Sequence, residues 1–261
     1  MTAPLYQLEG VAFAVGGREI LRPLTLDLAP GRLVALVGPN GSGKSTLMKL
    51  LARQRPPSAG RIRCLGRDLG DWGGRAFARA VAYMPQFTPA ADGMTVAELA
   101  RLGRFPWHGP FGRFGAADAE RVAAALSDTG LSGFARRRVD TLSGGERQRA
   151  WLAMLLAQDP RCLLLDEPTS ALDIAHQVEV LRLVRDLGRR RGIGAVVVLH
   201  DVNMAARFAD EIVALRSGGV AARGAPAAIM TPATLAAIYG IPIGVLPHPE
   251  GGEPIGYVRG L

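Results

Sequence analysis

Lysine, cysteine and long apolar runs are all scarce in this chain of 261 residues, and each scarcity excludes something. Cysteine occurs only as Cys64 and Cys162, with no CxxC pair and no histidine at ligand spacing. A disulfide-stapled scaffold and a zinc site are therefore set aside, and both thiols are expected as small core residues in a reducing compartment. No stretch approaches the roughly 18 uninterrupted apolar residues of a spanning helix, so the chain is not expected to cross a membrane. The opening MTAPLYQLEG has no basic stretch followed by an apolar core, so no secretory leader is expected and the chain should stay in the cytoplasm. Of the 31 basic residues only Lys44 and Lys49 are lysine; the others are arginine. With Ala and Gly also abundant, this resembles the codon bias of a GC-rich genome. The net charge of +8 is then weak evidence for a nucleic-acid partner, and the runs Arg136 to Arg138 and Arg189 to Arg191 read as solvated helix ends. A lysine kept in such a background is informative, because arginine cannot replace a compact point charge among phosphates.

What is present describes one large domain or two small ones, at about 100 to 200 residues per domain. Leu24, Leu26 and Leu28 alternate with Thr25 and Asp27, the pattern of a half-exposed strand, and Pro30-Gly31 marks a turn. LVALV (Leu33 to Val37) is short and continuously apolar, as expected of a strand covered on both faces. CLLLD (Cys162 to Asp166) and AVVVLH (Ala195 to His200) are two more such runs, separated by helical spacing in Ile174, Val178, Leu181 and Val184. Strands alternating with helices predict a parallel sheet in an α/β domain. Between them, Thr95 to Glu98 reads as a capping box, and Asp118 to Gly130 as a helix with an acidic N-cap and a glycine stop. Residues 93–141 are expected to be helical without a strand. The stretch GIPIGVLPHPEGGEP (Gly240 to Pro254) is dense in Gly and Pro and is expected to be irregular.

Directly after the first buried strand comes Gly38-Pro39-Asn40-Gly41-Ser42-Gly43-Lys44-Ser45-Thr46, which fits G-x-x-x-x-G-K-[ST] in its strand-loop-helix context. The glycines let backbone N–H groups surround phosphate oxygens at a helix N-terminus. Lys44 would reach the β- and γ-phosphates, and Ser45 would ligate Mg²⁺. Asp166 and Glu167 end the second buried strand, where ligands bind in open α/β sheets. Asp166 suits a Mg²⁺ ligand, and Glu167 suits a base or orienter for the attacking water. LSGGERQ (Leu142 to Gln148) has two readings. Ser143 and Glu146 make a capping box, while Gly144 and Gly145 leave a bare helix N-terminus that, with the Ser143 hydroxyl, could contact a phosphate.

In this order the motifs resemble the nucleotide-binding subunits of ATP-binding cassette (ABC) transporters over nearly the whole chain. GPNGSGKST is similar to Walker A, Gln86 in YMPQ to the Q-loop, LSGGERQ to the signature, CLLLDEP to Walker B, SALD (Ser170 to Asp173) to the D-loop, and His200 in VLHD to the switch histidine. The resemblance implies an α/β fold: a P-loop NTPase (RecA-like) core over residues 1–92 and 142–225, with an antiparallel β subdomain, a helical subdomain at 93–141 with the signature at its end, and a C-terminal extension at 226–261. It also implies ATP and Mg²⁺ as cofactors, a nucleotide-binding role for Asp173, and a head-to-tail homodimer in which Ser143, Gly144 and Gly145 complete the partner's site. Gln86 would link the metal and water to a membrane partner, and His200 would contact the γ-phosphate. The usual aromatic under the adenine is replaced here by Val15, with Phe13 expected on the same strand face.

A narrower resemblance lies in GRFPWHGPFGRFGAAD (Gly103 to Asp118), VLHDVNMAARFAD (Val198 to Asp210) and YGIPIGVLPHP (Tyr239 to Pro249), which are similar to ATPases of iron-chelate importers, closest to the ferric hydroxamate type. This implies a peripheral subunit on the cytoplasmic face of the cell membrane, bound to an integral-membrane permease, served indirectly by a periplasmic or surface binding protein, and without a nucleic-acid partner. Haemin and vitamin B12 importers are the nearest alternatives, and a soluble ABC ATPase a more distant one. Trp107, His108, Phe111 and Phe114 form an apolar, basic loop where that family meets its permease. Packing of these aromatics within the helical subdomain remains the alternative.

Overall fold

The computed structural model describes residues 3–109, 112–170 and 172–260. The chain opens with β1 (Tyr6–Val15), β2 (Arg18–Leu28) and the buried β3 (Leu33–Val37), then α1 (Lys44–Leu51), β4 (Ala59–Cys64) and β5 (Arg67–Asp68). Next come α2 (Gly74–Ala80), β6 (Val81–Met84), α3 (Val96–Leu102), α4 (Phe105–His108), α5 (Ala116–Asp128) and α6 (Gly144–Ala157). The second half alternates: β7 (Cys162–Leu165), α7 (Ile174–Arg191), β8 (Gly194–Val198), α8 (Val202–Phe208), β9 (Glu211–Arg216) and β10 (Gly219–Gly224). It closes with α9 (Pro226–Ile229), α10 (Pro232–Tyr239), β11 (Ile243–Leu246) and β12 (Ile255–Val258).

One sheet has the order β10-β9-β3-β8-β7-β6, parallel throughout except for β10 at its edge. A second, antiparallel sheet has the order β2-β1-β4-β5. The continuous apolarity of LVALV follows from its position between two cores. Leu33, Ala35 and Val37 face the helices, whereas Val34 and Leu36 face the antiparallel sheet and α1. Cys64 and Cys162 are both unpaired and fully buried in that second core, where burial pushes the Cys64 thiol up to about 11. The helices α3, α5 and α6 pack on one another between β6 and β7 in sequence, and the only pairing within 93–141 among the described residues is the isolated bridge Thr95 to Arg138.

Two expectations need correction. The helix expected from Asp118 begins at Ala116; Gly115 is its cap, and Asp118 sits inside the first turn, where its carboxylate accepts from the Gly115 N–H at 3.0 Å and from Arg104 at 2.8 Å. An acid at that position caps as well as one in front of the helix, so composition alone misplaced the start by a few residues. Ile174 is helical as its spacing predicts, opening α7, and is 77% exposed in that first turn. The stretch expected to be irregular contains β11, which pairs with β12 through Ile243 to Val258 and Leu246 to Ile255. Its glycines and prolines are concentrated in the connecting loop, while Ile243 is buried beside α10.

Candidate functional site

Four neighbouring parallel strands, β3, β8, β7 and β6, end on one edge of the sheet and deliver the predicted residues just past their C-termini: Gly38, His200, Asp166 with Glu167, and Gln86. This edge is where open α/β sheets bind ligands. A cleft of about 510 Å³ opens there, with Lys44, Ser45 and Thr46 on one side and Gln86, Glu167 and His200 on another.

The phosphate loop turns directly from β3 into α1. Gly38, Gly41 and Gly43 all take positive φ, which only glycine adopts without strain. The Lys44 ammonium, 5% exposed, donates to the Gly38 carbonyl at 2.8 Å and the Pro39 carbonyl at 3.0 Å. Burial holds its pKa below the ordinary lysine value, against the opposing pull of Glu167 and Asp166. The Ser42 hydroxyl is buried without a hydrogen-bond partner. Behind Lys44, Ser45 donates to Asp166 Oδ1 at 3.1 Å, and burial raises the Asp166 carboxyl above its usual range in spite of that bond. The orphaned Ser42 hydroxyl and the desolvated Asp166 carboxylate are short of polar partners, which a phosphate and a hard divalent cation would supply.

Glu167 stands at φ +53, in the left-handed region that non-glycine residues rarely visit and that recurs at active sites. Its Oε2 accepts from Gln86 Nε2 at 2.7 Å and lies 2.8 Å from His200 Nε2, so two residues from different strands meet on one carboxylate oxygen. His200 makes this contact, while Asp201 caps α8 by accepting from Asn203 and Met204.

Ser143, Gly144, Gly145 and Asp173 do not line this cleft. Ser143 caps α6, accepting from Glu146 at 3.3 Å while the Glu146 carboxylate accepts from the Ser143 N–H at 2.8 Å. Asp173 caps α7 and holds His176, accepting from its N–H at 2.9 Å with the ring Nδ1 at 2.8 Å, contacts that draw the carboxyl below its usual range. The imidazole fills the space beside Gly145, so a Cβ there would collide with the ring. The second glycine of the signature-like string thus has a packing reason within the chain, which pattern reading alone did not supply. Gly145→Ala should cost about 1–3 kcal/mol by overpacking. Thermal unfolding should report the loss, and adding His176→Ala should recover much of it; an unshifted melting temperature in the single variant would refute the contact.

Neither Val15, 52% exposed, nor Phe13, buried beneath the Arg55 guanidinium, lines the cleft; the two do not share an environment as expected. Arg18 and Ile20 of β2 line it instead, and no motif pointed to them. The segment expected as an aromatic loop is corrected in part, since Trp107 and His108 lie in the short helix α4, which the Pro106 at its start permits; Trp107 is 39% exposed, donates Nε1–H to the Gln158 carbonyl and lies 4.8 Å from both the Arg79 and Arg104 guanidinium carbons. Phe114 instead packs partly on the core, with His108 edge-on at 6.4 Å. Phe111 lies outside the described residues. No helix among the described residues is long and apolar enough to cross a membrane.

Residues 21–170 match the ABC transporter family. The chain is 38% identical over 257 residues to the ferric enterobactin transport ATP-binding protein of Escherichia coli, covering 98% of this chain and 95% of that one. Identity is likewise 38% to the iron(3+)-hydroxamate import ATP-binding protein of Bacillus subtilis, over 95% and 92% of the two chains. It is 44% to the hemin import ATP-binding protein of Streptomyces coelicolor, over 93% and 86%. Among solved structures, an inward-facing ABC transporter described as of metal-chelate type superposes with a TM-score of 0.85 at 27% identity, over 98% of both chains. A bacterial ABC transporter cassette solved as a dimer superposes at 0.73 and 27%, over 84% of this chain and 98% of that one.

Proposed function

The chain belongs to the ABC transporter family, and from that premise we propose that it is the ATP-hydrolysing subunit of an importer of iron chelates, with ferric hydroxamate siderophores as the cargo. The observation that carries the ATPase reading is the meeting of the phosphate loop, Glu167, His200 and Gln86 around one cleft at the ends of adjacent parallel strands, with Asp166 buried behind it on Ser45.

In this reading the amides of Gly38 to Thr46 and the Lys44 ammonium bind the β- and γ-phosphates. Ser45 and Asp166, with Gln86, would hold Mg²⁺, which when bound offsets charge on the phosphate oxygens. Glu167 orients a water and takes its proton as the water oxygen bonds to the γ-phosphorus and the bond to the bridging oxygen of ADP breaks. The two donors on Glu167 Oε2 must first find other acceptors, and the γ-phosphate provides one for His200. Ser143, Gly144, Gly145 and Asp173 act across a head-to-tail homodimer on the partner's nucleotide, which is consistent with their lying outside their own chain's cleft.

The subunit would sit on the cytoplasmic face of the membrane against a permease. Leu102, Phe105 and Trp107 are large apolar side chains exposed around α4, and Phe87, next to Gln86, is 83% exposed. Trp107→Ala should cost about 2 kcal/mol or more in affinity for the permease, a typical hot-spot loss, with ATP turnover of the purified subunit nearly unchanged. Iron-limited growth alongside turnover and thermal melting checks this; a large fall in melting temperature would make Trp107 a packing residue.

The hydroxamate assignment rests on the strings at Gly103 to Asp118, Val198 to Asp210 and Tyr239 to Pro249. Hemin is the second reading, favoured by the 44% identity to a hemin import protein. A strain lacking this chain, grown with a ferric hydroxamate or hemin as sole iron source, separates them: loss of growth on hydroxamate alone supports the first, loss on hemin alone the second.

A further inference from the structure

We propose that Arg18, seated beside Ile20, is the flat surface on which the nucleotide's base rests, and therefore sets recognition of the nucleoside half of the substrate. The proposal rests on the ATP reading above.

A triphosphate held by the loop amides and Lys44, with its terminal phosphate toward Glu167 and His200, has one wall of the cleft left for its sugar and base. Of the other residues lining the cleft, Asn40 and Gly41 belong to the phosphate loop itself, which leaves Arg18 and Ile20. A purine needs a planar or apolar partner, yet among the described residues no Phe, Tyr or Trp lines the cleft. Guanidinium is the other planar side-chain group that stacks on π faces, and it is weakly hydrated enough to do so at a partly open site. Ile20 supplies apolar surface beside it.

The backbone aims both side chains. Gly16 and Gly17 have φ +56 and +77, as a two-residue hairpin loop of the tightest kind requires, and this sets Arg18 directly opposite Val15. The ladder then slips between Phe13 and Ala14, where β2 carries one residue more than β1, at Ile20. Such bulges re-aim side chains and recur beside active sites. The same stretch is locked to the phosphate loop, since a Cβ on Gly43 would collide with Leu21 and crowd the Ile20 carbonyl. Base wall and phosphate cradle are thus held in fixed relation. Arg18 is also uncommitted: among the described residues it has no salt bridge, whereas Arg61, Arg104, Arg138 and Arg149 each pair with an acid.

An arginine facing a nucleotide could instead bind phosphate as a charge, and the two roles separate by substitution. Calorimetric titration of the full chain with ATP would compare wild type with Arg18→Ala, Arg18→Lys and Arg18→Trp, each first checked by thermal melting. Stacking predicts that Arg18→Ala weakens ATP binding about five- to thirtyfold, that lysine, with charge but no plane, fails to restore it, and that tryptophan, with plane but no charge, does. Rescue by lysine, failure of tryptophan, or unchanged affinity in Arg18→Ala would each overturn the assignment. A wild-type chain that binds no ATP would sink the nucleotide reading of the cleft itself, and this proposal with it.

Discussion

Glu167→Gln is expected to leave ATP bound while lowering turnover by about 10²- to 10⁴-fold, the range of a lost general base. The amide matches the carboxylate in shape, and its carbonyl oxygen can still accept from Gln86 and His200, whose donors now meet on Oε2. What disappears is the capacity to take a proton from water. The left-handed backbone at this position is unaffected, since both residues carry the same Cβ and Cγ, so a folding defect is not expected. With binding intact and hydrolysis blocked, the head-to-tail arrangement predicts a trapped dimer. Turnover within a few-fold of wild type would remove Glu167 from the chemistry. Gel filtration with ATP that shows only monomer would remove the shared site from the isolated subunit.

Lys44→Ala should act earlier, on binding. Charged hydrogen bonds to two phosphates are worth about 3 kcal/mol or more together, so ATP affinity should fall at least about a hundredfold. Lys49 cannot replace it, because it is exposed on the same helix and does not line the cleft. Calorimetry gives the loss directly, and wild-type affinity would end the phosphate-loop assignment. The pH dependence has a definite sign. Burial keeps the folded-state pKa of Lys44 below its ordinary value of 10.5, so between the two values the unfolded chain holds more protons than the folded one. Stability of the nucleotide-free chain should therefore rise as pH climbs through that window, and Lys44→Met should lose that component. The residue that the nucleotide needs as a cation is one whose charge the empty fold tolerates at a cost.

The nucleotide cradle was legible because its physics is local. A buried strand, a six-residue glycine-rich loop and a helix start suffice to place Lys44 and Ser45, and Asp166 with Glu167 needs only a short apolar run that ends in acids. Gln86 and His200 could be singled out by resemblance, but their shared grip on Glu167 depends on β6, β7 and β8 lying side by side. Arg18 and Ile20 left no signal in the pattern, since a hairpin slip and contact with Gly43 put them in the cleft from a different sheet. The capping box at Ser143 was readable from four residues; the collision that forbids a side chain at Gly145 comes from His176, which no spacing rule relates to it. At β11 the density of Gly and Pro hid a pairing that its four residues make with a strand beyond the loop.

With both lysines on α1, every side-chain primary amine of this protein belongs to one helix: Lys44 turned inward to the cleft and Lys49 outward. Acylating reagents therefore find no other side-chain amine to modify. Lys49 should modify freely whether or not nucleotide is present, serving as an internal standard, while Lys44 should react only when its cradle is empty. The ratio of the two adducts in a single peptide would report site occupancy without mutation or label, and the fold has made that measurement available simply by excluding lysine from everywhere else.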